Sequence, residues 1–392
     1  MSSSVIDEQA VDALFLEELR DWLSDHLVGE FAAARGVGGI ADDSRWELRL
    51  EWERLLARDR WLNISWPQEY GGRGGSIRHE LLFHIEHARA GAPYWVGSQG
   101  RDLFGPTLMA FGTQAQKDRF IPPIVAAEEF WGQGFSEPGA GSDLASLRTS
   151  ARLEGDRWII DGQKIWMTFG DHADWLYVLC RTSKEGPQHR GISMLLVPRH
   201  QPGVEVRTIR NIAGGAEFCE VFFTGAETAA DLVVGEVNQG WKIVMATLGN
   251  ERGGTTVLPF LASFERQMDD LLEHLRSRRG DVDPVTLDRV VRSWQEYRVL
   301  RQHTDRVLGA VLEGRHPGPE SSLVKLFWGT WHRDFGELLM EVLGQRALDE
   351  PDDPLVAEHR RVWLNSRAET IYGGTVEIQK NIIGERVLGL PR

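Results

Sequence analysis

The apolar residues of this chain repeat with a helical period up to about Phe130, with a strand period through the middle, and with a helical period again from Trp241. That double switch restricts the fold more than any other feature, because a segment patterned for one period cannot bury its apolar face in the other. Near the start, Val11, Phe15, Leu19, Trp22 and Leu23 line one face of a helix that needs a partner surface. Further helical runs are expected over 46–58, 79–90 and 114–127, punctuated by Gly71-Gly72, Gly91-Ala92-Pro93 and Pro122-Pro123. The middle carries short runs rich in β-branched and aromatic residues, at 157–160, 173–181, 191–197, 204–209 and 220–223. Gly155-Asp156 and Asp161-Gly162 suit hairpin connections, and Pro202-Gly203 suits a turn. The expectation is an α+β chain: an N-terminal all-α domain over 1–129, a central antiparallel β-barrel or sandwich over 130–237, and a C-terminal helical bundle over 238–392.

With 392 residues and 42% hydrophobic content, such a chain can bury a large core in more than one unit. A formal charge of −14, without Lys/Arg clusters, disfavours nonspecific binding to nucleic acid or anionic membranes, so any polyanion site is local. The 15 tryptophans are scattered over acidic segments, which suits core or interface anchors better than base-stacking platforms. Cys180 and Cys219 form no Cys-x-x-Cys pair and sit in expected strands, so they are read as reduced core residues. His84 and His87 share a helical face but have no third ligand, and no metal is expected. The sequence has neither a basic-then-apolar leader pattern nor an apolar run of membrane-spanning length, and a soluble cytoplasmic protein is expected.

The stretch WGQGFSEPGAGSDL, residues 131–144, combines Gly139-Ala140-Gly141, which lets backbone approach a bulky ligand, with the hydroxyls of Ser136 and Ser142. Alone, this string reads as a turn more readily than as a ligand site. Some 25 residues on comes GQKIWMTFG, where Trp166 can shelter a planar group and Thr168 can donate a hydrogen bond.

Together, these two motifs resemble the acyl-CoA dehydrogenase family. The resemblance extends through SWPQEYGGRGG (65–75), GPTLMAFGTQAQKDRFIPPI (105–124), GGAEFCEVFF (214–223) and IYGGTVEIQKNIIGERVLGLP (371–391), in the family's order. It implies an N-terminal helical domain, a central β-domain and a C-terminal four-helix bundle. It implies FAD as cofactor, with Gln133, Phe135, Ser136, Gly141, Ser142, Trp166, Met167 and Thr168 against the flavin, Thr168 bonding N5 and Trp166 packing on the ring. Thr375 and Glu377 match further flavin contacts, and Ser142 also lies near the thioester. The implied reaction takes a proton from the acyl α-carbon and a hydride from the β-carbon, leaving a trans-2-enoyl thioester. The backbone N–H of Gly373 matches the donor to the thioester carbonyl, with Gly374 beside it.

The chain departs from the family's commonest pattern at the base. Many members place a Glu where this chain has Gly373, and glycine abstracts no proton. Some relatives carry the carboxylate on an earlier helix before an Arg, and LGNERGG makes Glu251 the candidate base with Arg252 at the substrate; the same pair read without context is an ordinary helix ion pair. Glu369 and Glu377 are the fallback carboxylates. On the adenine side, Arg276 is retained from Arg-x-x-Phe-Gly although the Phe is lost, and Gly344 stands in a divergent Leu343–Ala347 turn beside Glu341. His189 precedes a strand where relatives touch CoA, and an exposed loop cation explains it equally well. GPESSLVKLFW (318–328) is similar to a bacterial subgroup that includes enzymes acting on bulky thioesters such as steroid side chains. The resemblance implies an acyl-CoA substrate, an electron-transfer flavoprotein as partner, and either a homo-oligomer (dimer or tetramer) or a heterotetramer with a related chain. Two alternatives on the same fold stay open: an oxygen-using acyl-CoA oxidase or monooxygenase, and a subunit with little activity of its own.

Overall fold

The computed structural model describes residues 3–38, 44–253, 258–277, 282–313, 315, 318–350 and 352–391, with the side chains of 3–10, 250–253, 258–259 and 311–312 outside that description. The chain divides into two compact units, Met1–Phe83 with Ala90–Glu251, and His84–Arg89 with Arg252–Arg392.

The chain opens with helices α1 (Ser3–His26), α2 (Gly29–Ala33), α3 (Trp46–Arg58), α4 (Ile77–Arg89), α5 (Gly105–Phe111) and α6 (Gln114–Val125), all of the first unit except the last six residues of α4. The partner that the α1 stripe needs is α3: Leu19 and Leu23 are buried in one cluster with Trp52, Leu56, Trp61 and Phe83. Thr113 starts α6 with a capping box to Gln116. Pro122 and Pro123, read as punctuation within the run expected over 114–127, lie inside α6. They sit in its last turn, where each forgoes its own N–H bond to the carbonyl four residues back while its carbonyl still accepts, Pro122 from Ala126 N–H and Pro123 from Glu128 N–H, and Ala127 then turns left-handed at φ 54°.

The sheet that follows comprises β1 (Trp131–Gly134), β2 (Ser150–Glu154), β3 (Arg157–Thr168), β4 (Trp175–Arg181), β5 (Ile192–Pro198), β6 (Val204–Ile209), β7 (Phe218–Ala229) and β8 (Val233–Val234). Its order is β6-β7-β3-β2-β4-β5-β8, with β1 on β4. The expected central β-layer is present, and most of its pairings are antiparallel; β1 with β4 and a single β2–β4 bridge are parallel, making the sheet mixed. Gly155-Asp156 forms the expected two-residue hairpin, with Glu154 opposite Arg157. Asp161-Gly162 forms none. There β3 runs on to Thr168, and glycine is needed for close approach: a Cβ on Gly162 would lie 2.6 Å from Thr149 Cα. Cys180 and Cys219 are free, buried residues of the sheet core, among Ile160, Met167, Val178 and Val221.

Phe104, just before α5, and Phe120 of α6 cover β1 and β4 through an aromatic cluster, with Phe104 4.1 Å from Trp131 and 5.0 Å from Tyr177 and Phe120 5.2 Å from Trp131 between ring centroids. Helix α7 (Gly240–Gly253) packs on the same core through Ile243 and Val244, and Thr247 bonds Thr107 of α5 at 2.9 Å.

The second unit is helical: α8 (Leu258–Ser277), α9 (Pro284–Leu312), α10 (Ser321–Leu343), α11 (Arg346–Asp349), α12 (Pro354–Glu369) and α13 (Val376–Ile382). Helix α10 is its centre, burying Trp328, Trp331, Phe335 and Leu339, with the Trp331 indole N–H donating to Ser293 of α9 at 3.1 Å. Asp353 caps α12 and Pro354 fills its first turn.

Candidate active site

The two motifs singled out in the sequence form adjoining surfaces of the first unit. β1 leads from Trp131 into the glycine-rich loop. Phe135 is buried edge-on to Tyr177, while Gly139, Gly141 and Ser142 are exposed. A reciprocal backbone pair, Glu137 with Ala140 at 3.0 Å each way, shapes the turn, and Ile165 N–H of β3 donates to Ser136 C=O at 2.9 Å. Gln133 keeps its side-chain Nε2 buried with no hydrogen-bond partner among the described residues. Such an orphaned donor costs about 1–3 kcal/mol unless a ligand satisfies it.

Opposite the loop, β3 bulges. Lys164 pairs with Val221 and Met167 with Cys219, so β3 fits two residues where β7 fits one. The extra residue is accommodated with Trp166 at φ 62°, a left-handed conformation that costs a bulky side chain about 1–3 kcal/mol. The result is a tryptophan with 57% of its surface exposed, edge-on to Phe218. Met167 turns the other way into the sheet core, fully buried, so its side chain faces no ligand and only its backbone remains for the role expected of it. Thr168 ends the strand, half-buried opposite Phe218.

Three residues that the motif reading passed over hold these surfaces. Lys164, buried on β3, donates to Phe135 C=O at 3.0 Å and to Glu137 Oε1 at 2.9 Å. Burial pulls its ammonium below the ordinary lysine range, opposed by the Glu137 charge. Burial alone would raise the Glu137 carboxyl, but Lys164 and the N–H donors around it hold it below the usual range. Arg181, at the end of β4, donates to Gln188 C=O and Ala145 C=O at 2.6 Å each and to Arg190 C=O at 2.8 Å. It thereby ties the exposed loop carrying His189 to the turn that follows Ser142. The available signal for Lys164 was a charge at an inward strand phase; Arg181 offered none. The side chains of Glu251 and Arg252, on the last turn of α7, lie outside the described residues.

In the second unit, Gly373 and Gly374 form the turn between α12 and α13, both left-handed at φ 64° and 95°. Gln379, itself buried, donates Nε2 to Gly373 C=O at 3.0 Å, and Thr375 caps α13 by accepting from Ile378 N–H. Glu377 is exposed in the first turn of α13. Glu369 is committed elsewhere: its carboxylate bonds His332 Nδ1 at 2.7 Å, and its carbonyl accepts from Lys325 at 2.5 Å. Arg276 is exposed near the end of α8, Glu341 of α10 is ion-paired with Arg289, and Gly344 ends α10 at φ 53°. Among the described residues no group of His, Cys, Asp and Glu is placed to hold a metal ion, and no helix is long and apolar enough to cross a membrane.

Comparison with known proteins bears on all three parts of the chain. Models of the acyl-CoA dehydrogenase N-terminal, middle and C-terminal domains match residues 12–128, 132–226 and 238–388. Acyl-CoA dehydrogenase IpdE1 of Mycobacterium tuberculosis is 46% identical over 382 residues, covering 96% of this chain and 97% of that protein. Among solved structures, the Tcur3481-Tcur3483 steroid ACAD superposes with a TM-score of 0.87 at 29% identity, over 98% of each chain. The ChsE4-ChsE5 complex from Mycobacterium tuberculosis does so with a TM-score of 0.83 at 30% identity, over 97% of this chain and 98% of that one.

Proposed function

We propose, from the premise that this chain belongs to the acyl-CoA dehydrogenase family, that it oxidises an acyl-CoA thioester between its α- and β-carbons to the trans-2-enoyl-CoA and passes the electrons to an electron-transfer flavoprotein. The family consists of FAD-dependent oxidoreductases, and the residues present fit that cofactor. The observation that carries the reading is Trp166, exposed and held left-handed in a bulge beside the glycine-rich loop. Strain of this kind persists where the surroundings over-determine it, as at ligand sites. The unpartnered Nε2 of Gln133 supports the same surface.

In this reading Gln133, Phe135, Ser136, Gly141, Ser142, Trp166, Thr168 and the backbone of Met167 hold the flavin, with Thr375 and Glu377. Arg276, Glu341 and Gly344 serve its adenine half. When bound, FAD supplies a two-electron acceptor, a capacity that no side chain of the protein has. The chain's own residues do the rest. Gly373 donates its backbone N–H to the thioester carbonyl, stabilising the charge that develops as the α-proton leaves. Glu251 takes that proton, and a water-poor setting would raise its carboxyl toward the working range. Ser142, His189, Arg252 and Gly374 contact the thioester and its CoA.

Similarity to a steroid ACAD supports a bulky acyl group, and of the two assemblies, a homo-oligomer or a heterotetramer with a related chain, similarity to the ChsE4-ChsE5 complex supports the second. Cytoplasmic location and the boundaries 1–129, 130–237 and 238–392 belong to the same proposal. The test is direct: purified protein is yellow and bleaches with a suitable acyl-CoA, and Glu251→Gln abolishes bleaching while keeping the flavin. A Glu251→Gln variant of full activity overturns the assignment of the base.

A further inference from the structure

A buried charge pair stands where the glycine-rich loop meets the bulged strand. Lys164 is fully buried and the Glu137 side chain is 8% exposed. The pair's hydrogen bonds run to each other, to the backbone around the cradle and to Thr149. Lys164 reaches Phe135 C=O at 3.0 Å and Glu137 Oε1 at 2.9 Å; Glu137 accepts from Thr149 N–H at 2.8 Å and from Arg148 N–H at 2.7 Å. Thr149 closes the ring, since its hydroxyl donates to Gln163 C=O at 3.3 Å and its backbone presses on Gly162, both on β3. Three segments distant in sequence, the loop at 135–140, the chain at 148–149 and β3 at 162–164, are therefore cross-braced through one carboxylate and one ammonium.

We propose that Lys164 and Glu137 form a positioning clamp, which fixes the glycine-rich loop against the bulged strand and so sets the spacing of the cradle between Ser136 and Trp166. The clamp rests on the flavin reading only for its use, not for its existence. Its physical basis is that a buried ion pair is weak as a source of stability compared with well-packed apolar residues of the same volume, yet strict in geometry. An apolar pair would fill the same space without holding Phe135 C=O, Arg148 N–H and Thr149 N–H at fixed points.

The test uses the full-length chain with Glu137→Gln, Lys164→Met and the double variant K164M/E137Q. In the apo chain, hydrogen exchange of peptides covering 135–149 should speed up by about tenfold or more in each single variant, as expected for losing a charge-assisted hydrogen bond, while peptides of α10 and α12 stay unchanged. FAD titrated by its fluorescence should bind about tenfold more weakly, equivalent to one such bond, and the visible flavin band should lose its fine structure. The double variant separates clamp from stability: with both charges gone its melting temperature should recover toward wild type, and its FAD affinity should not. Should Lys164→Met not fold, Glu137→Gln decides, since it keeps the side chain's shape while removing its charge and one of its two accepting oxygens. Unchanged exchange over 135–149, or faster exchange spread evenly through the chain with FAD affinity within twofold of wild type, overturns the clamp. A wild-type chain that takes up no FAD overturns the flavin reading instead, and the exchange measurement still decides the clamp.

Discussion

Replacing Trp166 with glycine separates a binding surface from a core residue. A buried tryptophan cut to a small residue costs about 3–5 kcal/mol through lost burial and the cavity left behind. Trp166 is 57% exposed, so at most half of that burial is at stake, and no cavity forms at an open surface. Against this loss stands relief of its left-handed strain at φ 62°, about 1–3 kcal/mol, offset by about 0.5–1 kcal/mol for the freer unfolded chain of a glycine. The terms nearly cancel, and the apo protein should stay within about 1 kcal/mol of wild type, a shift of roughly 1 °C in melting temperature for a chain of 392 residues. FAD affinity should not be spared. Loss of an aromatic packing partner, with its area and its stacking preference, predicts about tenfold weaker binding. Differential scanning fluorimetry of apo protein, paired with a flavin titration, reads both numbers. A fall of ten degrees or more in the apo melt with unchanged FAD affinity would refute the reasoning, because it would make Trp166 a packing residue.

Gly162→Ala places a methyl against the backbone and side chain of Thr149, 2.5–2.8 Å away, where nothing flexible can yield; a loss of about 1–3 kcal/mol in a denaturant melt is expected, and an unchanged midpoint contradicts it. His359 is buried in the second unit, and burial lowers its imidazole to about 4 against Glu358's opposing pull. The unfolded chain therefore takes up this proton first as pH falls, so stability present above pH 6.5 is lost between 6.5 and about 4, by up to about 3 kcal/mol. His359→Gln should flatten that part of a stability–pH curve, and an identical slope in the variant would count against the assignment.

The order of helical, strand and helical regions was legible because period is a local property: each segment's apolar spacing reports its own conformation before any partner is known. Helix α3 coincides with the run read at 46–58, and the Gly155-Asp156 hairpin closes as its two turn residues require. Errors appeared where a partner strand outranked local chemistry. Asp161-Gly162 has turn composition, but β7 pairs across it and Thr149 packs against it, so the strand continues. β1 has four residues and finds its parallel partner β4 more than forty positions away, too short and too distant for any local pattern to declare.

The candidate site divides the same way. Ser136, Gly141, Trp166 and Thr168 stood out as candidates through residue type and spacing, because a ligand surface needs particular chemical groups wherever the fold puts them. Sequence by itself thus determined the class of fold and, through its motifs, the family, while the glycine at 373 is what moves the proposed base to Glu251. The tertiary structure alone decided that Trp166 faces outward while Met167 faces inward, since that choice lies in the register between β3 and β7. It alone brought Lys164 to Glu137, 27 positions apart, and gave Glu369 to His332. Register and buried pairing depend on what lies opposite a residue, and the linear chain does not carry that information in readable form.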